Sequence, residues 1–282
     1  MLQGNSTKTR FSVLLLKLLK LLYPQGNVHR FEEAIQLIAR QTFNSTDKSS
    51  KFIYPGITHK PWYESDDYKD LKFVSDTLKK GFSDIENEWL AYLSSGHSIV
   101  PRYKPSEIFG ETLKDKDENW KYYLIWRQGK FTEAALSLFP KTVNIVSKLK
   151  PFLYPFAGEV VFIVMEPGVV LPPHTDDINI SLTCHLGIKT PEGCGIKVKG
   201  ETRSWARGET LFFDNSFIHE AWNKGQENRV VLLLDLYHPE LTKIEKNLLQ
   251  LALKYFNLIG VEGGYNGTQD SQYLKKLLKN LK

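Results

Sequence analysis

Two histidines and a carboxylate stand where one metal ion could use all three. The chain reads Leu171-Pro-Pro-His174-Thr-Asp176 and, further on, Phe213-Asp-Asn-Ser-Phe-Ile-His219. A strand directs residues i and i+2 to the same face, so an extended His174–Asp176 segment aims an imidazole and a carboxylate at one point. His219, from a later strand, supplies the third donor. Two histidines and one carboxylate on one face of a metal, its other positions open, form the donor set of non-haem Fe(II) oxygenases. A lone histidine is ordinarily a polar residue that has found partners, and His29, His59 and His97 are read that way. His174 and His219 differ because turn and strand signals flank each. Asp176 has further readings: it caps a turn, or Asp177 binds in its place.

Ten residues after His219, Arg229 enters the apolar run from Val230 to Leu236. A guanidinium in a buried strand requires an anionic partner. A dicarboxylate co-substrate is such a partner, because the planar fork holds a carboxylate bidentately.

These residues need a rigid frame. After Pro151 the rhythm turns to short apolar runs broken by Gly and Pro: Glu159 to Met165, Ile178 to Leu186, Gly195 to Val198, Thr210 to Phe213 and Val230 to Leu236. That spacing predicts an all-β sandwich or barrel. Helical periodicity precedes it over Arg30 to Gln41 and over Tyr68 to Tyr92, where Leu71, Val74, Leu78, Phe82, Ile85, Trp89 and Leu90 are the expected core face. Trp120 to Trp126 reads as a strand ended by Gly129, and Pro140 opens a helix through Val146 to Leu149. After Pro239 the helical pattern returns from Leu241 to Leu258. The polar stretch Asn44 to Ser50 is the expected linker. The expected divisions are an N-terminal helical extension (1–50), a central domain (51–242) and a C-terminal helical tail (243–282).

At 282 residues, 41% hydrophobic and 24% charged, the composition is that of a globular chain with a full core. The net charge of +5 is modest and its lysines are interleaved with acids, which argues against nucleic-acid binding. Cys184 and Cys194 make no disulfide framework, so a reducing compartment is the simpler expectation, although their spacing permits a bridge. Phe11 to Tyr23 is too short, and too interrupted by Lys17 and Lys20, to span a bilayer or serve as a secretory signal. It reads as a helix on the protein's own core or as one lying on a membrane surface. The expected location is cytoplasmic, with peripheral membrane contact through residues 11–23 as the variant. No internal repeat is visible.

A set of ordered motifs then resembles a known family. Glu166-Pro-Gly, Pro172-Pro-His174-Thr, Asn179, His185-Leu-Gly, Gly193-Cys, Trp205, Gly208, Phe213-Asp-Asn-Ser-Phe, His219-Glu-Ala-Trp-Asn, Arg229 and Asp235-Leu-Tyr-His-Pro-Glu-Leu are similar to the aspartyl/asparaginyl β-hydroxylases, which are 2-oxoglutarate-dependent dioxygenases. Pro55-Gly-Ile-Thr-His-Lys-Pro-Trp62, Trp120 and Pro140-Lys-Thr142 extend the resemblance upstream. It implies a mainly β fold with flanking helices (α+β), built on a double-stranded β-helix, a cupin-like jelly roll with metal in its mouth. It implies Fe(II), 2-oxoglutarate as co-substrate and O2, with succinate and CO2 released.

By the same resemblance His174, Asp176 and His219 ligate iron and Arg229 anchors the distal carboxylate. His185 contacts the carboxylate next to the keto group; its other reading is a core histidine bonded to a backbone carbonyl. In animal members the position of Asp176 is glycine, and iron is held by two histidines and water. A serine that assists the arginine is here Ile163. An arginine two residues before His185 is here Thr183, which is expected to line the co-substrate site. Trp205 and Trp222 are read as packing residues. The metal performs the difficult step, so no side chain need act as general base. The implied substrate is the β-carbon of an Asp or Asn in a peptide, protein or amino-acid derivative. A lipid acyl chain is the alternative, as is a non-catalytic metal-binding cupin-like protein.

Overall fold

The computed structural model describes residues 28–39, 53–96, 120–155, 158–176 and 178–256. The apolar segment from Phe11 to Tyr23 and the Asn44–Ser50 linker lie outside these residues. No helix among the described residues is long and apolar enough to cross a membrane.

The chain divides into two compact units. One comprises residues up to Thr58, the short segment Asp177–Ile180 and residues from Glu240 onward; the other comprises His59–Asp176 and Ser181–Pro239. The described parts of the expected extension and tail, residues 28–39 and 243–256, thus fall in one unit. There, helix α1 (His29–Ala39) carries Arg30, whose Nε and Nη2 donate to Glu245 at 2.9 and 2.6 Å. Glu245 belongs to the last helix (Lys243–Phe256) and closes a capping box with Thr242, accepting from the Thr242 amide at 2.9 Å.

In the second unit, a seven-stranded antiparallel sheet runs in the order β1 (Trp62–Tyr63), β9 (Thr210–Phe213), β6 (Ser181–Lys189), β11 (Arg229–Tyr237), β4 (Glu159–Met165), β2 (Trp120–Arg127) and β3 (Lys130–Phe131). A four-stranded antiparallel sheet has the order β5 (Val170–His174), β10 (His219–Asn223), β7 (Cys194–Val198) and β8 (Glu201–Arg203). Side-chain alternation divides the large sheet between two cores. Val230, Leu232, Leu234 and Leu236 of β11 join Leu182, Cys184 and Leu186 of β6 in a cluster with helices. The opposite face places Val231, Ile163 and Tyr122 against Ile196, Val198 and Ala221 of the small sheet. Two sheets face to face over their own apolar interior, with helices outside one of them, make a jelly roll with flanking helices, as expected.

The helical side departs from expectation in one respect. Tyr68 to Tyr92 is two helices, α2 (Lys69–Lys80) and α3 (Phe82–Ser94), broken at Gly81. A Cβ at Gly81 would lie 2.5 Å from Ile145, so glycine permits the approach of the later helix α5 (Pro140–Leu149). Leu71, Val74, Leu78, Ile85 and Trp89 are buried, whereas Leu90 is 51% exposed. A short helix α4 (Glu133–Leu138), not expected, begins where Thr132 Oγ1 accepts from the Ala135 amide at 3.0 Å. The helix of Lys243–Phe256 is α6, the last among the described residues. Both cysteines are free and buried, Cys184 in the helix-side core and Cys194 in the core between the sheets.

Candidate active site

The two histidines meet across neighbouring strands. β5 and β10 pair with His174 and His219 as opposed Cα partners, and the ring centroids are 4.0 Å apart at 52°. Each ring donates Nδ1–H to the carbonyl two residues before it, Pro172 at 2.8 Å and Phe217 at 2.9 Å. With the proton on Nδ1, each lone pair resides on Nε2, the form in which histidine ligates a metal. Burial lowers both pKa values. His219 is pushed down to about 3, with His174 adding to the effect. Both rings are therefore neutral near pH 7, as ligation requires.

Asp176 does not sit as strand alternation would place it. β5 ends at His174, so the i, i+2 relation is lost before Asp176 is reached. Asp176 is exposed; its Oδ2 accepts from Asn215 Nδ2 at 2.6 Å and its amide donates to the Asn215 carbonyl at 2.9 Å. Among the described residues no group of three His, Cys, Asp or Glu side chains gathers as a metal site. Asp177, the alternative, lies outside the described residues.

Thr183 belongs to a polar chain that leads away from Asp176. Asn215 Nδ2 also donates to Thr183 Oγ1 at 3.1 Å, and Thr183 Oγ1 donates to Asp235 Oδ1 at 3.3 Å across the β6–β11 pair. Asp235 Oδ2 in turn accepts from the Glu159 amide at 3.0 Å. Loss of hydration pushes the Asp235 carboxyl up to about 7, and the nearby Asp176 carboxylate adds to this. Asp214, beside Asn215, is raised to about 7 for the same leading reason.

Arg229 and His185 lie on the face of β11 and β6 that looks between the sheets. Arg229 is 2% exposed, and its Nη2 donates only to the Met165 sulfur, at 3.4 Å. Its Nε and Nη1 have no hydrogen-bond partner, and no acidic side chain among the described residues pairs with it. Burial drops its pKa to about 10, which leaves it a cation at neutral pH. Ile163, at the position of the expected serine, adds only apolar surface to the core beside it. His185 Nδ1 accepts from the Trp205 indole N–H at 3.1 Å, so its proton sits on Nε2, which has no partner. Burial first, then the Arg229 charge, keeps this imidazole far below its ordinary pKa. The reading of His185 as a core residue bonded to a backbone carbonyl is therefore not what the structure has. Phe213 joins the two halves of the site, with its ring 5.2 Å from His185 and 5.7 Å from His219.

The arrangement can thus ligate a metal through two neutral imidazoles and receive an anion at unsatisfied N–H groups of Arg229 and His185. Asn215 and Asp235 stand in the motifs that carry the resemblance but were given no role there, and Met165 was read only as the end of a strand. Asn215 sits in the Asp214-Asn-Ser-Phe turn, but no spacing rule signals its grip on Asp176. A groove of about 930 Å³ lies elsewhere, on the helix side of the large sheet, lined by Trp89, Leu90, Leu93, Ile188 and Val230. It belongs to neither half of this site.

Comparison with known proteins agrees with the motifs. The family model described as aspartyl/asparaginyl beta-hydroxylase matches residues 79–239. The human protein named aspartyl/asparaginyl beta-hydroxylase is 30% identical over 211 residues, 74% of this chain and 27% of that protein. Human aspartate beta-hydroxylase domain-containing protein 2 is 29% identical, over 73% of this chain and 54% of that one. Ornithine lipid ester-linked acyl 2-hydroxylase of Rhizobium tropici is 29% identical, over 63% of this chain and 66% of that one. The chain spans about a quarter of the length of the human enzyme it matches (27%) and about half or more of the other two. With a family match over more than half its length, and the opposed histidines and buried arginine inside that match, this chain belongs to the aspartyl/asparaginyl β-hydroxylase family.

Proposed function

We propose that this protein is an Fe(II)- and 2-oxoglutarate-dependent hydroxylase. The observation that carries the reading is Arg229. A fully buried cation with two unpartnered N–H-bearing nitrogens and no acidic neighbour costs stability unless an anion completes it. 2-Oxoglutarate is a dicarboxylate that fits this demand, with one carboxylate for Arg229 and Nε2–H of His185 for an oxygen at its other end. The histidine pair fits Fe(II), because neutral imidazoles with Nδ1 anchored to carbonyls suit a divalent borderline metal. Water or Asp176 would complete the protein's share of the ligands.

When bound, iron would let O2 react with an unactivated C–H, with 2-oxoglutarate as the two-electron reductant, so that one oxygen atom ends in the hydroxylated product and the other in succinate, with CO2 released. The chain's own residues hold and enclose. His174 and His219 would hold the ion, Arg229 and His185 would orient the co-substrate, and the buried aromatic side chains of Phe213, Trp205 and Trp120 would keep water away. No side chain is required to take a proton from the substrate.

The family name favours the β-carbon of an Asp or Asn residue as the site of oxidation. A second reading, an acyl chain of a lipid, is favoured by the Rhizobium relative. Its length is matched more completely than that of the human enzyme, 66% against 27%. The experiment is purified protein with Fe(II), 2-oxoglutarate and O2, followed by mass spectrometry for one added oxygen across Asp/Asn peptides, free amino acids and acylated lipids. Succinate formation coupled to an oxygenated product supports the reading. Metal binding without 2-oxoglutarate binding or consumption would instead favour a non-catalytic cupin-like protein.

A further inference from the structure

Trp205 lies on neither sheet, yet it touches both residues that would receive 2-oxoglutarate. The loop bearing it is pinned to β6. Gly187 donates its amide to the Glu209 carbonyl at 3.0 Å and accepts from the Gly208 amide at 2.8 Å. A Cβ at Gly187 would lie 2.4 Å from the Ala206 carbonyl oxygen, so only glycine lets the loop come this close. The loop therefore sets Trp205 down, 6% exposed, between His185 two residues earlier on β6 and Arg229 on β11.

Each contact has a definite chemical effect. The indole N–H is a donor only, so His185 Nδ1 must accept at the 3.1 Å contact and the imidazole proton must be on Nε2. The opposite tautomer would set two N–H groups against each other and leave a bare Nε2 facing any incoming anion. The indole face lies 4.5 Å from Arg229 Cζ, where it offers the buried guanidinium a cation–π surface without consuming its N–H groups. Hydrogen-bonding residues in the same place would compete with the ligand. Trp205 holds both receptors in their donor form and engages none of the three unpartnered donors, His185 Nε2 and Arg229 Nε and Nη1.

We infer that Trp205 is a positioning residue for the co-substrate: it fixes His185 as the Nε2–H tautomer that donates to an anionic oxygen of 2-oxoglutarate. This rests on the reading that 2-oxoglutarate binds at Arg229 and His185. Trp205 acts through His185, so its effect must vanish where no tautomer exists to be fixed. Leucine at 185 removes both ring nitrogens and leaves nothing for the indole N–H to orient.

The test uses the full chain with Mn(II) in place of Fe(II), so that 2-oxoglutarate binding is measured by calorimetry without turnover. Nitrogen-15 NMR of His185 in the metal-free parent is expected to show Nε2 protonated and Nδ1 bare, and Trp205→Phe is expected to admit a fraction of Nδ1–H. Trp205→Phe, which keeps an aromatic face for Arg229, is expected to weaken 2-oxoglutarate about fivefold in the parent, since affinity falls with the competent fraction and with misdirection of the donor. In the His185→Leu background the same substitution is expected to change affinity less than about twofold. Equal losses in both backgrounds would make Trp205 a packing residue only, and Nδ1–H in the parent spectrum would overturn the inference outright. If the parent binds no 2-oxoglutarate at all, the proposed function fails, while the tautomer of His185 still decides the role of Trp205. Unchanged far-ultraviolet circular dichroism and Mn(II) affinity confirm that each variant is folded.

Discussion

Replacing Arg229 by methionine should make the protein more stable and less able to bind its co-substrate. The guanidinium is 2% exposed and burial draws its pKa down from its ordinary value to about 10, which corresponds to about 3 kcal/mol of unfavourable charge burial. Its unpartnered Nε and Nη1 add to that cost. Methionine has similar length, carries no charge and lies beside Met165, Val231 and Trp205. Allowing for imperfect packing, Arg229→Met is expected to stabilise the ligand-free protein by about 1 to 3 kcal/mol, or roughly 2 to 6 °C. Removing one partner of a buried charge-assisted contact costs on the order of 2 to 5 kcal/mol, so 2-oxoglutarate should bind at least about 30-fold more weakly. The same substitution should leave Mn(II) binding unchanged, since Arg229 is not a ligand. Urea unfolding and calorimetry of both ligands measure all three quantities. A loss of more than about 2 kcal/mol in the ligand-free state would refute the reasoning, because it would mean that the guanidinium serves the fold and not an absent anion.

Other expectations follow from the same geometry. His174→Ala and His219→Ala should each abolish tight metal binding, whereas Asp176→Ala, at a carboxylate clamped by Asn215, should weaken it by less than about tenfold; metal titration by calorimetry ranks the three. Asp214 titrates at about 7 in the fold against 3.8 ordinarily, so the folded state holds a proton that the unfolded chain lacks between those values. Its contribution is full below pH 3.8 and is lost as pH rises through about 7, and Asp214→Asn should therefore gain about 2 to 4 kcal/mol on the parent between pH 4 and pH 8 by urea unfolding. An unchanged difference across that range would show the carboxyl to be ionised throughout. Gly187→Ala should destabilise by about 1 to 3 kcal/mol and weaken 2-oxoglutarate, because its methyl would displace the loop carrying Trp205; thermal unfolding and calorimetry check it.

Much of this protein is legible in its sequence because the signals are local. The near-continuous apolar run from Val230 to Leu236 marks a strand that is apolar on both faces, and an arginine at its head raises the demand for an anion. Histidines beside turn signals, in the order of a known motif set, pointed to the pair that the strands bring together, and Gly- and Pro-punctuated runs pointed to a sandwich or barrel, which the family resemblance narrowed to a jelly roll. Periodicity alone did not place the break at Gly81, since both halves of Tyr68 to Tyr92 keep a helical rhythm and it is the approach of Ile145 that needs the glycine. Other features depended on distance through space and not along the chain. Asp176 follows His174 at the right interval for a shared face, but β5 stops at His174 and the carboxylate turns to Asn215, 39 residues on. Trp205 carries no sequence sign of its bond to His185, 20 residues earlier, because a loop pinned at Gly187 creates it. Residue type and spacing determine which groups are available for chemistry, whereas strand ends and loop anchors, set by packing of distant segments, determine which of them face one another.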